Sequence, residues 1–358
     1  MDVLGTLPPG MVRVQGSTNF SPLISSLRPV GQVELGDFFI DKFEVSNKQF
    51  KEFVDKGEYQ KTNVWLYPFI KSGTTLSWEK AISQFRDQTG QPGPAMWSNG
   101  SYPSGQADFP VTGVSWYEAA AYAQFSGKRL PTIFHWYRAA GTDDYGPVIF
   151  NSPQIVPLSN FDKQGLAPVG KYPGMSSWGA YDMAGNADEW CWNESASRKR
   201  YTLGGGWDSP AYKFFEPDEA DPFDRPPTLG FRCMKDLSQS GISKVAFDPV
   251  ARQFRDYTKE KPVSDEVFQV LRSSFSYDKT APLDPIVEPV PDGSELWKKE
   301  RITFKAAYGE ERVPAYLFLP KKISPPYQTL IYFPGVGAFG PRSSKTNLAS
   351  MNTIAPLL

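Results

Sequence analysis

The order of polar and apolar residues predicts three helices in the first part of the chain. Ser46 and Gln49 have the spacing of a capping box, and an apolar face of phenylalanine and valine follows them up to a glycine at position 57. Ser115 and Glu118 repeat that spacing ahead of an alanine-rich segment that should end at the glycine at position 127. A third short helix should occupy 133–140, directly after a Pro-Thr pair.

Alternation of apolar and polar residues predicts strands before the first helix and near the end of the chain. The segment 33–45 alternates well enough for one or two strands. Segments 301–309 and 312–320 have the composition of two strands that form a hairpin around a Gly-Glu-Glu turn. From 57 to 110 and from 141 to 230, Gly, Pro, Asn and Asp recur too often for long regular elements. The pattern predicts an α+β fold with much irregular structure.

Composition supports a turn-rich chain that packs around large rings. The 358 residues include 30 glycines and 33 prolines, and 15% of them are aromatic. Such a composition does not suit a helix bundle. Nine of the ten tryptophans precede residue 210, and only Trp297 follows. We therefore predict one domain at 1–236, a linker rich in Pro and Asp at 237–295, and a separate short segment at 296–358.

The charge balance excludes several classes of partner. Thirty-eight basic and 39 acidic side chains leave a net charge of -1, so we expect no general electrostatic binding to nucleic acid or to anionic lipid. The sequence contains no run of apolar residues long enough to span a membrane. The first residues lack the pattern of a signal peptide, which favours a cytoplasmic location.

Two residue counts limit the metal chemistry of a single chain. The only histidine is His135, so a three-histidine metal site and an HExxH protease are both excluded. The only cysteines are Cys191 and Cys233, which excludes cysteine-rich zinc and iron–sulfur sites. The two cysteines can form one disulfide or remain as free thiols, and we favour free thiols. His135 lies in the first turn of a predicted helix, where we expect it to be a buried structural residue, since no nucleophile can be paired with it.

Four segments in fixed order carry a family resemblance. They are PVTGVSWYEAAAYAQFSGKRLPTIFHWYRAAG at 110–141, GAYDMAGNADEWCWNE at 179–194, LGGGWDSP at 203–210 and LGFRC at 229–233. Together they resemble the sulfatase-modifying-factor family, whose best-known member is the formylglycine-generating enzyme. The resemblance covers 1–236 and implies a duplex variant of the C-type lectin fold, with little helix, short strands and much irregular chain.

The resemblance also implies chemistry for which this chain lacks the residues. Formylglycine-generating enzymes hold copper with two cysteines that lie five residues apart after the glycine-rich turn, and the matching positions here are Ser209 and Phe214. Soft Cu(I) needs thiolates, so neither side chain replaces a cysteine. Iron-dependent relatives need a histidine triad, which one histidine cannot supply. We expect no catalytic residue and no copper, iron, zinc or nucleotide.

The leading hypothesis is therefore a non-catalytic domain that binds a peptide or small-molecule ligand, or regulates a larger multidomain protein. Its candidate pocket comprises Trp207, Asp208, Ser209 and Arg232. One alternative is a formylglycine-generating oxidoreductase with unrecognised ligands. Another is an accessory module of an α/β-hydrolase or esterase.

Calcium is the one metal that the resemblance leaves open. The family commonly carries calcium sites that build its loops. Asn186, Ala187 and Glu189 match one such motif, and Asn160 with Asp162 resembles the other. Carboxylate, amide and backbone oxygens suit a hard cation. The alternative is that Asn and Asp stabilise turns here without metal.

The end of the chain resembles the opening of an α/β-hydrolase. A hairpin and the more buried segment 328–335 precede a turn at Gly335 and Val336, whose N–H groups would contribute to an oxyanion hole. The formal GxGxxG there does not indicate a dinucleotide site, because no acidic residue follows to bind a ribose. No GxSxG is present, so the nucleophile, acid and base would lie beyond Leu358. The arrangement resembles bacterial fusions of a Ser/Thr kinase, a sulfatase-modifying-factor domain and a hydrolase.

Overall fold

The computed structural model describes residues 7–20, 27, 33–142, 155–237, 244–252, 254, 256–291, 294–307 and 309–331. The chain divides into two compact units, Met1–Phe254 and Arg255–Leu358. In the described residues no helix has the length and apolar character needed to cross a membrane.

Three of the four helices in the described part of the first unit begin where the sequence predicts them. The four are α1 Asn47–Asp55, α2 Trp78–Ile82, α3 Trp116–Phe125 and α4 Ile133–Ala140, and the short α2 was not predicted. Ser46 and Ser115 each form a complete capping box with the residue three positions later, and Thr132 caps α4. Gly57 and Gly127 adopt positive φ directly after α1 and α3, as expected for helix ends. The three predicted helices are confirmed.

The strands of the first unit are short and mostly antiparallel. They are β1 Met11–Val14, β2 Ser17–Phe20, β3 Val33–Leu35, β4 Phe38–Asp41, β5 Phe69–Lys71, β6 Thr74–Leu76, β7 Asp188–Glu194, β8 Arg200–Leu203, β9 Asp218–Ala220, β10 Leu229–Gly230 and β11 Met234–Asp236. Their sheets run β1-β4-β11, β10-β7-β8-β9, β2-β3 and β5-β6, with β10 parallel to β7. Helices and small sheets joined by irregular chain confirm the predicted mixture of α and β structure.

Two apolar clusters form the core of the first unit. One packs α1 and α3 around Trp97 and Phe85, and the other packs α4 against β4, β7 and β8. The side chains of Trp116, Tyr122 and Trp136 are all buried in these clusters. Burying rings of this size is the largest favourable contribution that such short elements can make.

Two indole nitrogens join α3 to the central strand β7. Trp116 Nε1 donates to the carbonyl of Cys191 at 2.9 Å. Trp190 Nε1 donates to the carbonyl of Val114 at 2.9 Å. Both hydrogen bonds are buried, so they compensate the indole N–H groups for lost contact with water and fix the start of α3 against β7.

The first unit includes 244–252 as well as the predicted domain. Asn193 Nδ2 donates to the carbonyl of Ala246 at 2.8 Å, and Tyr201 Oη donates to that of Val250 at 2.8 Å. This segment therefore completes the core beside β7 and β8. The division of the chain at 236 stays a prediction.

Within the residues that the structure describes, the second unit contains one exposed helix and one antiparallel sheet. Its elements are α5 Asp265–Ser273, β12 Ile286–Pro289, β13 Trp297–Lys305 and β14 Arg312–Pro320. β13 and β14 pair along their full length, which confirms the predicted hairpin. Residues 328–331 are not in a strand and Ile331 is 88% exposed. The rest of that predicted strand, and the turn at Gly335 and Val336, lie outside the described residues.

Candidate functional site

The chain turns sharply after β8, where the family resemblance places its catalytic cysteines. Gly204 and Gly205 have φ of 105° and 70°. A Cβ on Gly205 would lie 2.8 Å from Cβ of Lys213, closer than side chains approach. Positive φ and the lack of space for a side chain explain why glycine occupies this turn.

Ser209 and Phe214 both have structural roles at this turn. Ser209 Oγ accepts a hydrogen bond from the N–H of Gly206 at 3.1 Å. Phe214 ends a short 3-10 helix, is fully buried, and packs its ring 6.1 Å from that of Trp136 and 4.8 Å from that of Phe215. The Ser209 hydroxyl therefore stabilises the turn, and the Phe214 ring is part of the core.

In the predicted pocket, Arg232 differs in burial from the consecutive residues Trp207, Asp208 and Ser209. Trp207 is half-buried and exchanges backbone hydrogen bonds with Asn186 and Lys163, while Asp208 is exposed. Arg232 is fully buried, so its guanidinium does not line an open pocket beside Ser209.

Arg232 instead forms a buried ion pair with Glu189. Its Nη2 lies 2.6 Å from Glu189 Oε1 and its Nε lies 2.7 Å from Oε2, and both side chains are 0% exposed. Arg232 also donates to the carbonyls of Asp41 and Tyr181, and Trp136 Nε1 donates to Glu189 Oε2 at 2.8 Å. Such a pair is stable inside a protein only when additional hydrogen bonds satisfy both groups, as they do here.

Two further buried carboxyls lie near this pair. Glu44 accepts hydrogen bonds from Asn186 Nδ2 and from the N–H of Ala187, both at 2.9 Å. Burial raises the pKa of Glu44 well above its usual range, and the charges of Asp182 and Glu189 add to the effect. Burial also raises the pKa of Asp182 to about 6. Low polarity and neighbouring negative charge both disfavour ionisation of these groups.

The oxygens of Asn186 and Glu189 do not fit a calcium ion as they are arranged. Asn186 Oδ1 accepts N–H groups from Ala167 at 2.9 Å and from Asn160 at 3.0 Å. Both oxygens of Glu189 accept from Arg232. A cation would have to displace these donors, because they occupy the lone pairs that it would use.

The second proposed calcium pair offers one free oxygen. Asn160 Oδ1 is buried without a hydrogen-bond partner, but Asp162 is exposed and accepts from Tyr172 Oη and the N–H of Gln164. Among the described residues no three His, Cys, Asp or Glu side chains are grouped so that they could hold a metal. One amide oxygen falls far short of the six to eight ligands of calcium, so we assign no cation to Asn160 and Asp162.

Both cysteines are buried, free thiols, which confirms the favoured prediction. Cys233 belongs to the cluster around α1 and α3, and Cys191 belongs to the cluster around α4. Burial raises the pKa of both thiols well above the usual value. Because the thiolate is the reactive and metal-binding form, neither cysteine is activated.

His135 has the structural role predicted for it. Its side chain is 1% exposed, its Nδ1 lies 2.6 Å from Thr132 Oγ1, and its ring meets the edge of Phe38 at 4.8 Å. Burial, with a smaller contribution from the charge of Arg129, lowers its pKa to about 3. The imidazole is therefore neutral and buried at physiological pH.

A cleft of about 470 Å³, which was not predicted from the sequence, lies at the end of the β7–β8 pair where Glu194 is opposite Arg200. Its walls are formed by Tyr67, just before β5, by Ile70 in β5, by Tyr117 in the first turn of α3, and by Trp192 on β7. This volume lies in the usual range for small-molecule sites.

Three charged residues of the β7–β8 hairpin also line this cleft: Glu194, Arg198 and Arg200. Glu194 and Arg200 are paired across the hairpin. The sequence carries a signal for them, since alternation along β7 places Trp192 and Glu194 on one face, close to the arginines of the turn.

Comparison with known proteins places this chain in a family. Residues 5–237, more than half of the chain, match the sulfatase-modifying factor enzyme 1-like domain. An inactive C-alpha-formylglycine-generating enzyme 2 from Bos taurus is 30% identical, over 45% of this chain and 62% of that protein. A hercynine oxygenase from Mycolicibacterium smegmatis is 31% identical, over 48% of this chain and 40% of that protein.

A third relative has a different name. The serine/threonine-protein kinase Pkn1 of Chlamydia trachomatis is 33% identical, over 46% of this chain and 24% of that protein. The chain thus spans less than two-thirds of the length of each of these relatives. The match over 5–237 shows that this chain belongs to the sulfatase-modifying factor enzyme 1-like domain family.

Proposed function

We propose that the domain at 1–236 is a binding or regulatory module that does not carry out the oxidation known from its family. The side chains at Ser209 and Phe214 carry this proposal. The phenyl ring fills the core and the hydroxyl holds the turn, so no thiolate is available there for Cu(I). We also propose the duplex C-type-lectin-like arrangement for this domain, on the strength of the four ordered sequence segments.

The remaining sulfur atoms support the same proposal. Cys191 and Cys233 are buried in different apolar clusters and their thiols stay protonated. Two neutral thiols separated in this way do not supply a Cu(I) site. The bovine relative is named inactive and the mycobacterial one an oxygenase, so membership of the family is compatible with either outcome.

Anaerobic titration with Cu(I) tests the proposal. We expect the purified protein to bind no stoichiometric copper, and to leave a cysteine-containing sulfatase peptide unoxidised in air. A variant with Cys191→Ser and Cys233→Ser is the matched control and should behave identically. Tight binding of one Cu(I) that this variant loses, or conversion of the peptide, would overturn the proposal.

We further propose that 296–358 belongs to a hydrolase-like region of a multidomain protein. The β13–β14 hairpin has the form expected for the opening of such a domain. The chlamydial relative is named a kinase, and this chain spans 24% of it, which is compatible with a fusion of several domains. Ester hydrolysis by the longer gene product is the activity to assay, and its absence there would count against this assignment.

A further inference from the structure

The cleft beside β7 is separate from the turn that contains Ser209. In the β7–β8 pair, Glu189 lies opposite Leu203 at one end and Glu194 lies opposite Arg200 at the other. Ser209 follows the first of these ends. β7 has a bulge between these pairs, so three residues of β8, about 10 Å of strand, separate the two ends. A ligand in the cleft would therefore not occupy the position of the family's cysteines.

Arg200 forms the charged floor of the cleft. Its guanidinium carbon lies 3.8 Å from the centre of the Trp116 ring. Nη1 donates to the carbonyl of Trp192 at 2.6 Å, and Nη2 lies 3.5 Å from Glu194 Oε2. A guanidinium has five N–H groups in a fixed fork. Stacking and the Trp192 bond hold this fork in place, and N–H groups without a partner among the described residues are left for a ligand.

Two phenol hydroxyls can add donors to the guanidinium. Tyr117 Oη already accepts the N–H of Ile70 at 2.9 Å, so its own proton is available to donate. Tyr67 Oη has no hydrogen-bond partner among the described residues of the chain. Burial raises the pKa of both tyrosines, so both hydroxyls keep their protons. A ligand group with more than one oxygen could accept hydrogen bonds from the guanidinium of Arg200 and from these hydroxyls together.

The net charge of the lining favours an anionic ligand. Arg198 and Arg200 face a single carboxylate, Glu194, which leaves one positive charge. Arg198 is exposed at the rim and has no side-chain partner among the described residues. A guanidinium fork matches the two oxygens of a carboxylate. A dianionic phosphate would lose more hydration on entering the cleft than a carboxylate does, and an ammonium group would be repelled by the two arginines.

The rest of the lining consists of aromatic rings and aliphatic side chains. The rings of Tyr67 and Trp192 meet edge to face with centroids 5.1 Å apart, and Ile70 and Pro222 complete the wall. Aromatic rings prefer such stacked or edge-on neighbours. A ligand with a flat apolar body would gain contacts here that a small inorganic anion would not.

We propose that this cleft binds a small organic carboxylate, whose charged group faces Arg200 and whose flat apolar body lies against Tyr67 and Trp192. The inference rests on the proposed binding role of the domain and gives it a ligand class. It assigns Arg200 as the residue that selects the charge of the ligand, and the aromatic walls as those that select its shape.

Calorimetry with simple probes tests this inference. Indole-3-acetate and phenylacetate should bind the full-length protein, whereas the neutral isostere phenylacetamide and the cation phenethylamine should bind at least about tenfold more weakly, a loss of about 1.4 kcal/mol. Phenyl phosphate should bind more weakly than phenylacetate. Equal affinity for acid and amide, tighter binding of the amine or the phosphate, or no binding of either carboxylate at millimolar concentration, would overturn the inference.

Variants locate the binding. Arg200→Gln should weaken carboxylate binding about tenfold or more, and Tyr67→Phe, which keeps the ring, about threefold. Arg272→Gln removes an exposed arginine from α5 and should change nothing. Should Arg200→Gln fail to fold, Arg198→Gln and Tyr67→Phe carry the test, and unchanged affinity in both would place the ligand elsewhere and reject the cleft.

The copper titration keeps the two proposals distinguishable. Absence of both copper and carboxylate binding would reject the ligand class and leave the loss of oxidation chemistry intact. Copper binding would reject the non-catalytic role, and carboxylate binding that still depends on Arg200 would then be independent of the metal site.

Discussion

Charge balance around Arg232 determines how the interior of the domain responds to mutation. One guanidinium faces the carboxyls of Glu189, Glu44 and Asp182, all of them buried. It pairs directly with Glu189, and the raised pKa of Glu44 allows that carboxyl to stay protonated, whereas Asp182, with a pKa raised to about 6, gives up its proton near neutral pH. Arg232 is therefore the positive charge on which the ionised Glu189 depends.

Replacing Arg232 with methionine should be strongly destabilising. The change leaves the Glu189 carboxylate buried without its partner, and we expect the free energy of unfolding to fall by about 3–5 kcal/mol. Lys51→Met is the control, because it removes a pair with Asp55, which is 59% exposed, and should cost less than about 1 kcal/mol. Urea denaturation followed by tryptophan fluorescence measures both. Similar losses of unfolding free energy in the two variants would show that the buried ion pair contributes no more to stability than the exposed one.

His135 predicts a pH dependence of stability. Its pKa of about 3 in the folded protein lies below the value near 6.5 expected when unfolded. Between these values the unfolded chain binds more protons, so the stability from a neutral His135 is complete above pH 6.5 and is lost as the pH falls toward 3. His135→Gln should make the decline in unfolding free energy between pH 6.5 and 4.5 less steep.

The comparison between wild type and His135→Gln isolates this residue. Asp182 and Asp188, with pKa values raised mainly by burial to about 6 and about 7, act in the opposite direction, because the folded state holds their protons up to a higher pH. They are present in both proteins and cancel in the difference. Identical slopes in the two proteins would contradict the assignment of His135 as a buried neutral residue.

At the scale of elements, helix starts were predictable because capping is local. Ser46 and Gln49 are three residues apart, and their hydrogen bonds require nothing from the rest of the fold. The cleft was not predictable in this way. Three separate segments of the chain supply Tyr67, Tyr117 and Arg200. These residues come together only because β7 pairs with β8 and α3 docks against them.

The capping box of α1 should be measurable by a single substitution. In Ser46→Ala the N–H of Gln49 loses its acceptor, and we expect a cost of about 1 kcal/mol in unfolding free energy. Ser77→Ala is the matched control, since Ser77 caps the five-residue helix α2 through a longer bond of 3.4 Å and without a reciprocal bond. It should cost less. A larger loss for Ser77 would mean that the box at α1 adds nothing.

At the scale of the molecule, the family and the mixture of short elements could be predicted from ordered segments, whereas the roles of single polar residues could not. Asn186 illustrates the reason. The motif around it suggested a cation ligand, but its amide joins Glu44, 142 residues away, and Ala167. Such contacts depend on how irregular segments fold back on the sheets, and spacing along the chain carries no information about them.

The two indole bonds from Trp116 and Trp190 have a consequence for what can enter the cleft. They fasten α3 to β7, so the faces that carry Tyr117 and Trp192 keep a fixed separation. The opposite face is joined to Tyr117 by the hydrogen bond from the N–H of Ile70 and by the ring of Phe69, whose centroid lies 4.8 Å from that of Tyr117. A thicker ligand could enter only if these contacts broke. The cleft should therefore accept planar molecules and exclude bulky, branched ones.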